Sequence, residues 1–133
     1  MPIVDQRISC VAIEATLKSQ STVAGKLAGT SLIAIRDHGA SERTLLVDCL
    51  TLWTSNLMLA DRDITAATDE LLAAISLSSG PIILVSNEVG LGIVPDNALA
   101  RKFRDEAGIV NQRVAASVDE VQFLVSGLPI AIK

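Results

Sequence analysis

The chain has 133 residues, half of them hydrophobic, which is the size of one domain with a core of its own. Eleven Lys and Arg against fifteen Asp and Glu give a net charge of −4, with no basic stripe and no aromatics among the cations, so the electrostatic footprint of a nucleic-acid binder is missing. One Trp, two Phe and no Tyr accompany many Ala, Val, Leu and Ile residues, a composition that favours strands buried on both faces and packed by helices, hence an α/β fold.

Residues 1–26 are weakly patterned. The stretch Ile8 to Leu17, broken by Glu14, leads into the polar run Lys18-Ser19-Gln20-Ser21-Thr22 and suits a strand or a helix. No basic region followed by an apolar core of about 7–15 residues marks a secretory signal, and no apolar run approaches the ~20 residues of a membrane span, so the cytoplasm is the expected location. Cys10 and Cys49 lack C-x-x-C spacing and a nearby His cluster, and read as buried, reduced thiols. Leu27, Leu32, Ile33 and Ile35 suit a short helix from Leu27 to His38, ended by Asp37-His38-Gly39.

The run Thr44-Leu45-Leu46-Val47 stops at Asp48, as a central parallel strand does when its carboxyl end reaches a site. Leu50 to Ala60 follows as a short helix that carries Trp53 into core or interface packing. Asp63 is placed to cap a helix from Ile64 to about Leu77, with Ile64, Ala67, Leu71, Ala74 and Ile75 on its apolar side. After Gly80, the run Pro81 to Val85 reads as a second buried strand. A loop from Asn87 to Pro95 leaves it, where Gly90 and Gly92 are expected to supply backbone freedom and Pro95 to stiffen the exit. Asp96 or Asn97 caps a long helix, roughly Ala98 to Ser117, with Leu99, Phe103, Val110 and Val114 at helical spacing. Val121 to Val125 is a third strand, turned by Gly127-Leu128-Pro129 into a last one, Ile130 to Ile132, as an antiparallel edge hairpin. Strand, helix and strand in alternation make a mainly parallel sheet flanked by helices, one domain over residues 1–133.

Asp48 at the end of an apolar strand is what a Walker-B element needs, one carboxylate presented rigidly to a magnesium ion or its water shell; the competing reading is a turn or helix cap. Asn87 and Glu88 end a strand where an open parallel sheet binds ligands, with a simple turn as the alternative. Arg101 and Arg104 offer phosphate bidentate cations, or else belong to a solvated helix face. His38, the only histidine, reads as a solvated residue at a helix end.

Three blocks carry more than these single residues. Asp48-Cys49-Leu50-Thr51-Leu52-Trp53-Thr54-Ser55-Asn56-Leu57, then Val85-Ser86-Asn87-Glu88-Val89-Gly90-Leu91-Gly92-Ile93-Val94-Pro95, then Arg101 through Arg104-Asp105 to Gly108 and Asn111-Gln112-Arg113, are in the order of one known family. They resemble the bifunctional adenosylcobinamide kinase and adenosylcobinamide-phosphate guanylyltransferase of cobalamin biosynthesis. Val125-Ser126-Gly127-Leu128-Pro129 with Lys133 resembles its ending, so the likeness runs ungapped from about Leu45 to Lys133.

The resemblance implies a P-loop NTPase sheet of the RecA type and a two-step chemistry: phosphorylation of the adenosylcobinamide hydroxyl by a nucleoside triphosphate, then GMP transfer from GTP through a guanylylated histidine. It implies GTP or ATP with magnesium, adenosylcobinamide as substrate, and a homo-oligomer. For nucleotide binding it points to Asp48, which holds magnesium through water, and to Glu14, whose segment Val11-Ala12-Ile13-Glu14-Ala15 resembles the family's glutamate segment at a longer spacing from Asp48. For substrate or phosphate contacts it points to Asn87, Glu88, Arg101 and Arg104. The family's Gly-rich loop ending in Gly-Lys-Ser has no counterpart, since Leu27 follows Gly25-Lys26 and Gln20 stands where the first glycine belongs. The family's histidine lies further upstream than His38, so no residue is assigned as nucleophile. The expectation is the family's reaction, in a chain without the family's first strand, P-loop and first helix and so with little or no kinase activity of its own; the alternative is a non-catalytic remnant or partner subunit.

Overall fold

The structure, a computed structural model, describes residues 10–13, 22–24 and 44–133. Strands β1 (Cys10–Ile13) and β2 (Thr22–Ala24) come first, followed by β3 (Thr44–Asp48), helices α1 (Leu50–Leu59) and α2 (Ile64–Leu77), and β4 (Ile82–Asn87). Helix α3 (Ala98–Ser117) then leads to β5 (Gln122–Val125) and β6 (Leu128–Ala131). The expected helix from Leu27 to His38, the Gly25-Lys26 pair, Glu14 and His38 lie outside the described residues.

The six strands form one sheet in the order β2-β3-β4-β1-β5-β6. Strands β2, β3 and β4 are parallel, whereas β1 runs antiparallel to both of its neighbours, β4 and β5. The α/β expectation therefore holds, with the parallel part confined to β2, β3 and β4. Strand β1 fills the slot between two strands that point the same way, and it does so in reverse, where antiparallel ladders give it perpendicular hydrogen bonds on both sides.

Local chemistry sets the helix boundaries. Cys49, extended at φ −137°, accepts the Leu52 N–H on Sγ at 3.4 Å, so Cys49 and not Asp48 caps α1. The Asp48–Cys49 peptide bond is cis, and the Cys49 thiol is free and half-buried rather than buried. Beyond the C-cap Ala60 of α1, Asp61 has a left-handed φ of 51°, which lets the Arg62 N–H reach the Leu57 carbonyl at 2.9 Å. Asp63 caps α2 as expected, its Oδ1 accepting the Ala66 N–H at 2.9 Å. At α3 the cap is Asn97, with Oδ1 accepting from Leu99 and Ala100 at 2.8 and 3.1 Å.

Leu45 and Val47 of β3, Ile82 and Leu84 of β4, and apolar residues of all three helices form one buried cluster, closed by Val118 and Val121. Burial alternates along β4, and along β3 from Leu45 onward, leaving Leu46, Ile83 and Val85 half-buried. Successive strand side chains point to opposite faces, so the three helices share one face of the sheet. Burial on both faces, expected from composition, is thus full on the helix-covered face, while on the other Thr44 is buried and Leu46, Ile83 and Val85 are half-buried. Trp53 is in the core, and the hydroxyls of Thr54 and Thr68 are buried by donating to the carbonyls of Leu50 and Ile64 at 2.9 and 2.6 Å. In α3 the buried stripe is Ala107, Val110 and Val114, with Phe103 half-buried; Leu99 is 54% exposed, because the first turn projects beyond the core. No described helix is long and apolar enough to cross a membrane.

Strands β5 and β6 are joined by Ser126 and Gly127, at φ 53° and 76°, the pair of positive values that a two-residue type I′ turn requires. Leu128 and Pro129, expected in the turn, belong to β6. Proline's fixed negative φ bars it from such a turn, and an edge strand tolerates its missing N–H. A Cβ at Gly127 meets nothing within 4 Å, so only backbone strain opposes one. Gly127→Ala is expected to lower stability by about 1 kcal/mol in urea denaturation. The chain then returns to α3, where Lys133 Nζ donates to the carbonyls of Val118, Ala116 and Ala115 at 2.6, 3.1 and 3.4 Å and covers the helix's carboxyl end.

Candidate functional site

The parallel register of β3 and β4 sets Asp48 opposite Val85, so Asp48 and the segment Ser86-Asn87-Glu88 emerge together at the carboxyl end of the sheet. That end is where open α/β sheets bind ligands. Asp48 is exposed, and its carboxylate takes no hydrogen bond or ion pair from the described residues. The cap reading of Asp48 falls away because Cys49 does that work.

Behind Asp48, side chains from both flanking helices hold the end of β4. Thr51 of α1 accepts the Asn87 N–H on Oγ1 at 2.7 Å. Asn111 of α3 donates from Nδ2 to the Asn87 carbonyl at 3.1 Å and accepts the Ser86 hydroxyl on Oδ1 at 2.6 Å. Ser86 Oγ lies 3.3 Å from Thr51 Oγ1. Ser86 is a buried polar residue at an inward position of β4, following Ile82 and Leu84, and these bonds are what permit its burial.

The following loop is tied down at Gly90. Glu88 Oε1 accepts the Gly90 N–H at 2.6 Å, and the Arg104 guanidinium donates to the Gly90 carbonyl. Arg101 donates to the carbonyls of Pro95 and Asp96 at 2.9 and 2.6 Å. Both arginines therefore turn at least one donor onto the loop backbone, a use that neither the phosphate reading nor the solvated-face reading included. Gly90 and Gly92 have no positive φ, contrary to the expected backbone freedom. Gly90 is needed for space: a Cβ there would lie 2.6 Å from Glu88 Oε1, whereas Gly92 faces open space. The atom in the way ends a flexible side chain. Gly90→Ala is thus expected to displace the Glu88 carboxylate and shift the amide resonance of residue 90, while thermal unfolding registers less than about 1 kcal/mol.

The sheet end thus unites Asp48, Asn87 and Glu88, with Arg104 of α3 bonded to the adjoining loop and Arg101 further out, over Pro95 and Asp96. Sequence reasoning did not single out Thr51, Ser86 and Asn111. The available signal was a hydroxyl at the third inward position of β4. No three His, Cys, Asp or Glu side chains converge as metal ligands among the described residues.

The family model described as cobinamide kinase / cobinamide phosphate guanyltransferase matches residues 21–132. The chain belongs to this family. The match begins upstream of Leu45, where the motif likeness starts. The chain is 45% identical over 101 residues to the bifunctional adenosylcobalamin biosynthesis protein CobP of Pseudomonas aeruginosa, an alignment covering 74% of this chain and 58% of the relative. It is 41% identical over 109 residues to the bifunctional adenosylcobalamin biosynthesis protein CobU of Salmonella typhimurium, covering 71% and 60% of the two chains. The like-named protein of Escherichia coli is 40% identical over 104 residues, covering 67% and 58%. The matched stretch spans 58 to 60% of the length of these relatives. In this family member, the blocks around Asp48, Asn87 and Asn111 are the ones that meet at the sheet end.

Proposed function

We propose that the chain forms the magnesium–nucleotide side of a site acting on adenosylcobinamide, with GTP or ATP as nucleotide. The chemistry is that of the family: phosphoryl transfer to the cobinamide hydroxyl and GMP transfer from GTP to the resulting phosphate. The observation that carries this reading is the exposed Asp48 carboxylate beside Asn87 and Glu88 at the carboxyl ends of two adjacent parallel strands. A RecA-type P-loop architecture is part of the same proposal, supported by the parallel β3–β4 pair with its terminal aspartate.

Magnesium is held in such sites by one or two carboxylates, with phosphate oxygens and water completing the shell. Asp48 fits as the single carboxylate, acting through water, and the ion would neutralise phosphate charge. Asn87 and Glu88 orient the ligand beside it. Each guanidinium has five N–H donors, so Arg101 and Arg104 keep donors for phosphate while they hold the loop. Glu14 is proposed as a further nucleotide contact and not as a ligand of the ion, and no residue, His38 included, is proposed as the nucleophile. Association between copies of the chain is also proposed, supported by Leu128, Ile130 and Ile132, exposed at or just beyond the edge strand β6, as is a cytoplasmic setting.

A second reading, a non-catalytic partner module, is favoured by one observation: no Gly-Lys-Ser or Gly-Lys-Thr occurs in the 133 residues. Without such a loop the transferred phosphate loses positioning and charge stabilisation, and this chain alone is expected to show little or no kinase turnover. Incubation with labelled GTP and magnesium separates the readings. Acid-labile label retained on the chain overturns the module reading. Absence of both label and calorimetric GTP binding overturns the nucleotide-site reading.

A further inference from the structure

The bonds around Asn87 can be followed proton by proton. Ser86 has one hydroxyl proton, and it goes to Asn111 Oδ1 at 2.6 Å. In the 3.3 Å contact between the two hydroxyls Ser86 must then accept, which makes Thr51 the donor. Thr51 Oγ1 in turn accepts the Asn87 N–H, and the Asn87 carbonyl accepts from Asn111 Nδ2. The result is a closed ring: Thr51 donates to Ser86, Ser86 to Asn111, Asn111 to the Asn87 carbonyl, and the Asn87 N–H back to Thr51. Thr51, Ser86 and Asn111 each give and take, so the bonds from the Asn87 N–H through these three side chains to the Asn87 carbonyl polarise one another in turn, and the low dielectric around buried Ser86 strengthens them.

We propose that Asn111, with Thr51 as its counterpart across the strand, is a positioning residue. Together they grip the N–H and the C=O of the same residue from two different helices, and so set the direction in which the Asn87 and Glu88 side chains leave the sheet beside Asp48. This inference rests on the reading of Asn87 and Glu88 as ligand contacts. It assigns Asn111 no contact with ligand. Its amide matters because one end must accept and the other donate, which neither an ionised aspartate nor an apolar residue can do.

The test uses the full chain and two readouts. Residue-resolved hydrogen exchange is compared for the parent, Asn111→Asp, Thr51→Val and the hydroxyl-keeping Thr51→Ser, with the buried Val114 amide as reference for global opening. In Asn111→Asp and Thr51→Val the Asn87 amide is expected to exchange about tenfold faster while Val114 is unchanged, and in Thr51→Ser it keeps the parent rate. If Asn111→Asp also speeds Val114, it has loosened the fold, and Thr51→Val decides. Unchanged Asn87 exchange with intact Val114 protection overturns the ring. Calorimetry with Mg·GTP on the same proteins is expected to show affinity reduced at least about fivefold in Asn111→Asp and Thr51→Val and restored in Thr51→Ser. Equal affinity despite accelerated exchange overturns the positioning role. A parent chain that binds no GTP overturns the functional reading instead, and the exchange rates alone then decide the ring.

Discussion

Asp48→Asn is expected to weaken magnesium-dependent GTP binding at least about tenfold, with the thermal midpoint within the small range of a neutral surface change. The substitution keeps the shape of the side chain and removes its charge. An aspartate just before a helix can serve the backbone as its N-cap, and Asp63 does so at the start of α2 by accepting the Ala66 N–H. At Asp48 the next residue, Cys49, takes that role, and the exposed carboxylate meets no described partner. Stability should therefore be indifferent to its charge, while a hydrated magnesium ion, bound through strong hard-oxygen electrostatics, should not be. Calorimetric titration with GTP, with and without magnesium, checks the point. The parent protein should lose affinity when magnesium is withheld, and the variant should bind equally in both conditions. A variant that keeps the full magnesium dependence would remove Asp48 from the site.

The features legible in the sequence are those whose chemistry is local. Asp63 could be placed as the cap of α2, with its stripe of Ile64, Ala67, Leu71 and Ala74, because a cap and a helical period are complete within a few residues. The end of β3 at Asp48 was legible for the same reason. Strand β1 was not, because its direction depends on pairing residues 10–13 with residues 84–87, and nothing within four residues encodes an antiparallel insertion between β4 and β5. The antiparallel edge hairpin was legible but its turn was not: Gly127-Leu128-Pro129 looks like a turn, yet only Ser126 and Gly127 take the positive φ that matches strand twist. In the site, Asp48, Asn87 and Glu88 announced themselves as polar residues ending apolar strands. Thr51, Ser86 and Asn111 act across separations of 24 to 36 residues, and only the fold brings them together. Arg101 and Arg104 were visible as cations, but their carbonyl partners exist only once the loop has its shape.

Leu71→Ala should be among the most damaging core truncations, with an expected loss of about 3 kcal/mol. Leu71 is 0% exposed at the middle of α2, a helix that packs on α1 and α3. Its polar attachments are at the surface: Arg113 of α3 pairs with Asp69 and donates to the Thr65 carbonyl at 3.4 Å, and exposed pairs of this kind contribute only about 0–1 kcal/mol. What holds α2 is its apolar stripe, in which Ala67 and Ala74 are small and Ile64 lies at the first residue, so Leu71 supplies the largest central side chain. Truncation there removes its transfer free energy and leaves a cavity between helices that the hydrogen-bonded α2 backbone cannot easily fill. Against a total of roughly 5–15 kcal/mol for a domain, that is a large share. Urea denaturation followed by the fluorescence of Trp53, the single and buried tryptophan, should show a lower midpoint at unchanged slope. Arg113→Ala, measured the same way, should cost less than about 1 kcal/mol. If the arginine variant proved the weaker of the two, α2 would be anchored by its surface ion pair and not by the core.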